Sequence, residues 1–384
     1  MDIPPFSPDT SGFAAVMSGT DGIGIIDDAR GCSANYYFSE EPRSDIPFRV
    51  FVSEIANEDI IIGSRDKLSA VFREKVELIS PAFAVLCGSP VSTLIGTDFA
   101  EIAKHLQMES GIPVSHLPLS GHDAYDIGVS QALVVLAKLL MERHESLLCT
   151  MAARSPANGR RVNLLGPNCL DWNLFDLRNV STRIETDGME VTAVLGGEET
   201  AENLAAASMS SVNWVTTVAG VKVAKWMQSA FGIPYVCGAP FGAEVTKNVM
   251  NRVFGAPVKE VAQEAAVGQP VQALIVGEQF AADALRQTLL QEYGFRSVQV
   301  ASFFQMERSL MRPGDIKLRS ESDFRRLIDA APTLVIADPL LRRCGADVSK
   351  WIDWPHIPIS ARLYSDERPS ILFENANTWL DKVL

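Results

Sequence analysis

The chain is poor in the signatures of the commonest functional classes. Six cysteines (Cys32, Cys87, Cys149, Cys169, Cys237 and Cys344) are scattered over 384 residues with no CxxC pair, which argues against a disulfide scaffold and against a zinc ribbon. There is no Walker loop and no GxGxxG after a strand. The glycine-rich stretches TDGIGIID (20–27) and VLGGEE (194–199) match neither pattern, so a P-loop NTPase and an ordinary dinucleotide dehydrogenase are poor readings. GxSxG is missing, and the five histidines (His105, His116, His122, His144 and His356) show no HExxH or other paired metal spacing. Positive charge is short: 34 Lys+Arg face 47 Asp+Glu, a formal charge of −13, and nucleic acid is not an expected partner. No window approaches the roughly 18 uninterrupted apolar residues of a spanning helix. The opening MDIPPFSPDTSGF has no basic or apolar signal region. A membrane protein is therefore not expected, and the cytoplasm is the expected compartment.

Apolar residues at 47% and charged residues at 21% describe a globular chain with enough length for two or three domains. Its recurrent unit is a short β-branched run, a polar turn and a segment of helical period, the pattern of βα units around a parallel sheet. The first block runs through AFAVLCGSP (82–90), a helix over 97–111 with Thr97 or Asp98 as N-cap, IPVSHLPL (112–119) and a helix over 125–143. SPANGRR (155–161) is a turn-rich break. A second block contains RVNLLGP (161–167), EVTAVLGG (190–197), NWVTT (213–217), a helix over 220–232 and IPYVCGAPFG (233–242); a third starts near VQALIVG (271–277) and ends with TLVIADP (333–339) and IPISARL (357–363). The expected fold is α/β, with three doubly wound, Rossmann-like domains at 1–155, 156–262 and 263–384. Helix, Gly, Ile-Pro and an apolar run recur at 111–114 and 232–236, a faint internal repeat.

In open parallel sheets ligands bind beyond the carboxyl ends of the strands. That rule selects positions such as Ser89, Gly166, Gly196, Phe241 and Gly277, although glycine there also serves turn geometry. His122, in LSGHDAYD after a strand, is the best placed histidine for a site, with a plain loop histidine as the alternative. The segment GIGIIDDARGC (22–32) is more informative. It carries an apolar strand into Asp27, Asp28, Arg30, Gly31 and Cys32, placing a thiol where backbone can approach a ligand. Arg30 is expected to lower the pKa of that thiol; a buried turn cysteine is the other reading.

Five stretches, FSPDTSGFAAVMSGTDGIGIIDDARGC (6–32), NEDIIIGSRDKL (57–68), CGSPVSTLIGTDFAEIAKHLQMESGIPV (87–114), RVNLLGPN (161–168) and FGIPYVCGAPFG (231–242), are specific in their order. Together they resemble the nitrogenase component 1-type family, which includes dinitrogenase catalytic subunits, cofactor-assembly scaffolds, and reductases of protochlorophyllide, chlorophyllide and nickel-sirohydrochlorin. The resemblance implies three Rossmann-like domains and a two-subunit core, as a homodimer or a heterodimer with a related subunit. It also implies a 4Fe-4S cluster at the interface and an ATP-dependent iron protein as electron donor. Cys32 occupies the family's Gly-Cys ligand position, with Gly31 beside it and Asp27, Asp28 and Arg30 around it. The upstream ligand, expected near 4–7, is missing. The downstream ligand falls at about Ser89 or Pro90; Cys87 lies two or three residues earlier, about 6.6 Å away along a strand, and serves only if the turn shifts. Cys32 and Cys87 from each of two subunits would supply the four thiolates that a 4Fe-4S cluster needs. The position of the cysteine that holds the nitrogenase metal cofactor falls near Thr216, so no iron-molybdenum cofactor is expected. The substrate, a tetrapyrrole or another small molecule, is expected between domains near Gly196, Thr216, Cys237 and Phe241. A cluster or cofactor carrier without turnover, and a cluster-free relative that binds a small ligand, are the alternatives.

Overall fold

The structure, a computed structural model, describes residues 3–32, 36–142, 161–186, 188–255, 271–344 and 350–384. Among them are three all-parallel sheets. The first contains β1 (Ile23–Ile26), β2 (Val50–Val52), β3 (Ala84–Cys87) and β4 (Val114–Leu117), in the order β2-β1-β3-β4. The second contains β5 (Arg161–Leu165), β6 (Glu190–Leu195), β7 (Val212–Val215) and β8 (Tyr235–Cys237), ordered β6-β5-β7-β8. The third contains β9 (Ala273–Val276), β10 (Val298–Ser302), β11 (Ile316–Lys317), β12 (Leu334–Ala337) and β13 (Lys350–Asp353), ordered β11-β10-β9-β12-β13. In each sheet the strand order reverses beside the first strand, between β1 and β3, β5 and β7, and β9 and β12. Those are the doubly wound switch points where a crevice opens beyond the strand ends. The expected boundaries at 155/156 and 262/263 lie outside the described residues.

The sequence builds these elements by ordinary means. β3 reads AVLC and is buried at every position, as a central parallel strand covered on both faces must be. Its two faces serve different cores. Ala84 and Leu86 join a cluster with Leu68, Phe72 and Leu106, whereas Val85 and Cys87 join the large core shared by all three sheets. The recurrent Gly-Ile-Pro phrase has a geometric meaning. Gly111 and Gly232 both end helices in the left-handed conformation (φ 75° and 71°) and release the chain into β4 and β8. Asp98 accepts from the Glu101 N–H as the expected N-cap. IPISARL (357–363), the phrase that closes the third block, is helical and adds no strand. Pro358 sits in the first turn of a helix at Ile357–Ser360, continued by a 3-10 segment, and the edge of the third sheet is β13 instead.

Two close contacts fix the architecture, one inside the first unit and one between the third unit and the second. Helices Asp9–Ser18 and Tyr125–Met141 approach so closely that a Cβ at Gly128 would lie 1.8 Å from the Asp9 carbonyl oxygen, and one at Gly12 would lie 1.9 Å from that of Tyr125. Residues 368–384, which follow the third sheet, return to the second. Arg368, buried, donates to the carbonyls of Cys169 (2.9 Å) and Leu170 (3.2 Å), and the Ile371 and Leu372 N–H groups donate to Asp176. No helix among the described residues is long and apolar enough to cross a membrane.

Candidate functional site

At the first switch point Asp27 follows β1 and is wholly buried. It accepts hydrogen bonds from Ser53 (2.7 Å), Ser64 (2.6 Å) and Thr97 (3.2 Å), which stand after β2, at the head of helix Arg65–Ile79 and after helix Pro90–Ile95. Burial raises its pKa and these three hydroxyls oppose the rise. Asp27 thus gathers the loops on which the site is built. The next residues run beside 53–55, with the Ile55 N–H on the Asp28 carbonyl (2.8 Å), and bring Cys32 to the surface.

Gly31, at φ 91° with open space around it, makes the turn before Cys32. Arg30 does not lower the pKa of this thiol. It pairs with Glu54 at 3.4 Å out in solvent, while partial burial and then the adjacent Asp28 push the thiol upward. At the same carboxyl end of the sheet, the helices that follow β2 and β3 carry the exposed apolar side chains Ile61 (85%), Ile62 (79%) and Leu94 (86%). Exposed apolar side chains of this size at one end of a sheet suit contact with another chain.

Cys87 is not on that surface. The two-residue period of β3 turns it, with Val85, into the shared core, where it has no accessible area and its thiol donates to the Gly88 carbonyl (3.3 Å). Burial pushes its pKa well above the ordinary thiol value. Ser89, expected near a cluster, is a buried N-cap. Its hydroxyl donates to the Asp27 carbonyl (2.6 Å) and accepts from the Val91 and Ser92 N–H groups. The two-thiolate set expected from Cys32 and Cys87 is therefore not assembled, and among the described residues no group of three or more His, Cys, Asp or Glu side chains could hold a metal. His122 is an exposed loop residue.

The four residues expected around a substrate do not meet. Gly196 (φ 111°) is closed over by Pro167, whose carbonyl oxygen would stand 2.4 Å from a Cβ. Thr216 is fully buried, with its N–H on the Leu165 carbonyl (3.0 Å). Phe241 packs at a tilt against Trp172, ring centres 5.1 Å apart, beside a residual space of about 10 Å³, enough for one water at most. Cys237 alone faces an open cavity, of about 410 Å³, between the helices Ala243–Phe254 and Gln279–Glu292. It lies beyond β8 and so between the second and third sheets. Burial pushes the Cys237 thiol up to about 11, so it is protonated at neutral pH.

What closes the junction of the three sheets is a polar cluster that sequence reasoning missed. Tyr125 from the first unit, Asp171 from the second and His356 from the third converge. His356 Nε2 stands 3.0 Å from Asp171 Oδ1 and 3.3 Å from the Tyr125 hydroxyl, which itself donates to Asp171. Asn168 donates to the other Asp171 oxygen at 2.7 Å. Phe304 packs edge-on against both rings. Glu278, two residues past β9, accepts from the Val218 (2.8 Å) and Ala281 (2.9 Å) N–H groups, and burial followed by nearby Asp171 pushes its pKa to about 8. Burial also brings the Arg368 guanidinium down to about 10. The signal available in the sequence was an acid just after an apolar strand. Asp27, Glu278 and Asp338 all follow this pattern, and each accepts from the groups that reach its switch point.

The comparisons with known proteins agree with this architecture. A family model, nitrogenase component 1 type oxidoreductase, matches residues 12–308. The nitrogenase iron-molybdenum cofactor biosynthesis protein NifE of Methanosarcina barkeri is 26% identical over 206 residues, 53% of this chain and 44% of its own. The nitrogenase molybdenum-iron protein alpha chain of Clostridium pasteurianum is 27% identical over 195 residues, 49% of this chain and 33% of its own. The chain thus matches less than half the length of these curated relatives. A solved structure described as nitrogenase Cp1 at pH 6.5 superposes with a TM-score of 0.76 at 12% identity, covering 99% of this chain and 92% of that one, a likeness of fold. With three doubly wound sheets and a family match across most of its length, the chain belongs to the nitrogenase component 1 type oxidoreductase family.

Proposed function

We propose that this chain is one subunit of a nitrogenase-like reductase that accepts low-potential electrons from an ATP-dependent iron protein and passes them to a small molecule or tetrapyrrole bound between its domains. Cys32 is its ligand to a 4Fe-4S cluster at the interface with a second subunit. The observation that carries this reading is the carboxyl end of the first sheet, where exposed Cys32 follows β1 and exposed Ile61, Ile62 and Leu94 follow β2 and β3, on loops fixed by Asp27. A thiolate rising from a fixed base on an apolar, partner-seeking surface suits a shared cluster.

The donor set fits only in part. A 4Fe-4S cluster needs four ligands. Cys32 offers one and Cys87 is sealed in the core, so two copies of this chain offer two. The rest would come from a different partner subunit, and a heterodimer suits the chain better than a homodimer. A cluster held there would supply one-electron transfer at low potential, and Asp28 and Glu54 are the nearby acids through which this chain would lower that potential. The small ligand set also favours a second reading, a cluster or cofactor carrier without turnover.

Iron and acid-labile sulfide on anaerobically purified protein, alone and with its partner subunit, test the proposal alongside Cys32→Ala and Cys87→Ala variants and an EPR spectrum after dithionite. Loss of iron in C32A with retention in C87A is the expected result. Iron unchanged in C32A overturns it. Stoichiometric transfer of iron to an acceptor, without partner-dependent reduction of any substrate, favours the carrier.

A further inference from the structure

The cavity beyond β8 has a chemistry of its own. Along helix Ala243–Phe254 the residues Val245, Asn248, Val249 and Arg252 fall at i, i+3, i+4 and i+7, the spacing of one helix face, and all four line the cavity. That face is apolar at its start and polar at its end. The opposite wall adds Phe280, and Met311 lies at the rim.

The charges around the cavity are not balanced. Asp283 is already engaged: Arg286 donates to it at 3.0 Å, Gln287 at 2.7 Å, and the Arg312 Nε stands 3.2 Å away. Arg252 donates through Nη2 to the Cys237 carbonyl at 2.9 Å, feels the Asp283 carboxylate only beyond ion-pair distance, and makes no salt bridge among the described residues. Asn248 is 8% exposed, and its side-chain amide has no hydrogen-bond partner among the described residues. A guanidinium with spare donors and an adjacent amide, set at the end of an apolar trough, are complementary to a carboxylate on an apolar body. The volume of about 410 Å³ lies within the range of roughly 300 to 1,000 Å³ usual for small-molecule sites.

We infer that this cavity binds an apolar molecule bearing a carboxylate, with the acid on Arg252 and Asn248 and the body against Val245, Val249 and Phe280. As the class of the substrate, this rests on the reductase reading; as a binding site, it stands without it. Cys237 is then a wall of the site and not its nucleophile.

The test is fluorescence anisotropy of pyrenebutyrate and of its neutral counterpart, pyrenebutanol, titrated with the full-length protein. The acid is expected to bind about tenfold or more tighter than the alcohol, the increment of a charge-assisted hydrogen bond. Arg252→Gln should abolish that preference. Asn248→Asp, which places a negative charge in the cavity at nearly the same volume, should weaken the acid while sparing the alcohol. Val249→Trp should weaken both by filling the trough. Equal binding of acid and alcohol to the wild-type protein, or a preference that survives in both R252Q and N248D, overturns the inference. Iron content is read on the same preparations. A cavity that fails while iron still depends on Cys32 sinks only this inference, and the reverse outcome sinks only the reductase reading.

Discussion

His356 and Asp171, 185 residues apart in sequence, meet at 3.0 Å where the three sheets join. The Tyr125 hydroxyl adds a third unit to the contact, and Asn168 occupies the second carboxyl oxygen of Asp171. Both carboxyl oxygens of Asp171 thereby face donors. Asp171→Asn keeps the shape but turns an N–H₂ group toward donors, leaving buried groups unpaired. The expected loss is about 2 kcal/mol of stability, read as a lower urea midpoint. Tyr125→Phe removes one donor only and should cost less.

Asp126 gives a pH signature. It is 1% exposed; one oxygen accepts from the Gln305 N–H, and the other has no partner. Burial pushes its pKa to about 6. A carboxyl group whose folded pKa exceeds its unfolded value binds more protons when folded. Its favourable contribution is complete below the unfolded pKa of about 3.9 and is lost as pH rises through about 6. Asp126→Asn keeps the acceptor and removes the titration. The variant should be more stable than the wild type at pH 7.5, by on the order of 2 kcal/mol, with the advantage shrinking toward pH 4.5. Urea unfolding at the two pH values measures this, and an advantage independent of pH would refute it.

The described cysteines should separate by reactivity. Cys32 is exposed, Cys237 is half-buried, and Cys87 and Cys169 have no accessible area. Iodoacetamide on the native protein should therefore label Cys32 first and Cys237 slowly, with Cys87 and Cys169 reacting only in denaturant. Because partial burial and then Asp28 raise the Cys32 pKa, its rate should still be climbing above pH 9, as peptide mass spectrometry of timed samples would show.

Gly128 tests the helix crossing. A methyl group there would stand 1.8 Å from the Asp9 carbonyl oxygen, so the two helices must separate to admit it. Gly128→Ala should cost about 3 kcal/mol, at the upper end of overpacking penalties. Gly255→Ala, at a left-handed helix end (φ 69°) with open space around it, should cost about 1 kcal/mol. Thermal melts of the two variants should rank them in that order.

The sequence was most legible where one segment determines its own structure. Buried runs such as AVLC and ALIV announce central parallel strands, and Asp98, Gly111 and Gly232 mark helix ends. Ile357–Ser360 carries no local signal that separates a strand from a buried short helix, because isoleucine suits both, and the Asp338 contacts to the His356 N–H and the Ser360 hydroxyl decide between them. For Cys32 the Gly turn before it left a ligand-facing thiol and a buried turn cysteine both open, and the structure puts it at the surface. Cys87 could not be placed, because both faces of β3 are covered and which core receives Cys87 depends on helices elsewhere in the chain. Tyr125, Asp171 and His356 carry no local pattern at all; their meeting is a property of the assembled sheets.

The return of residues 368–384 to the second sheet bears on the order in which the protein can form during synthesis. Arg368 and Cys169 are 199 residues apart, and Asp176 waits for the Ile371 and Leu372 N–H groups across a similar interval. While the third unit is still being made, the second has its strands but not the segment that satisfies its buried acid and covers Phe241. Vectorial folding from the first unit to the last is thus interrupted in the middle. The central unit is the last to be finished, and until then its uncovered flank is the part of the nascent chain most exposed to chaperones and to misassembly.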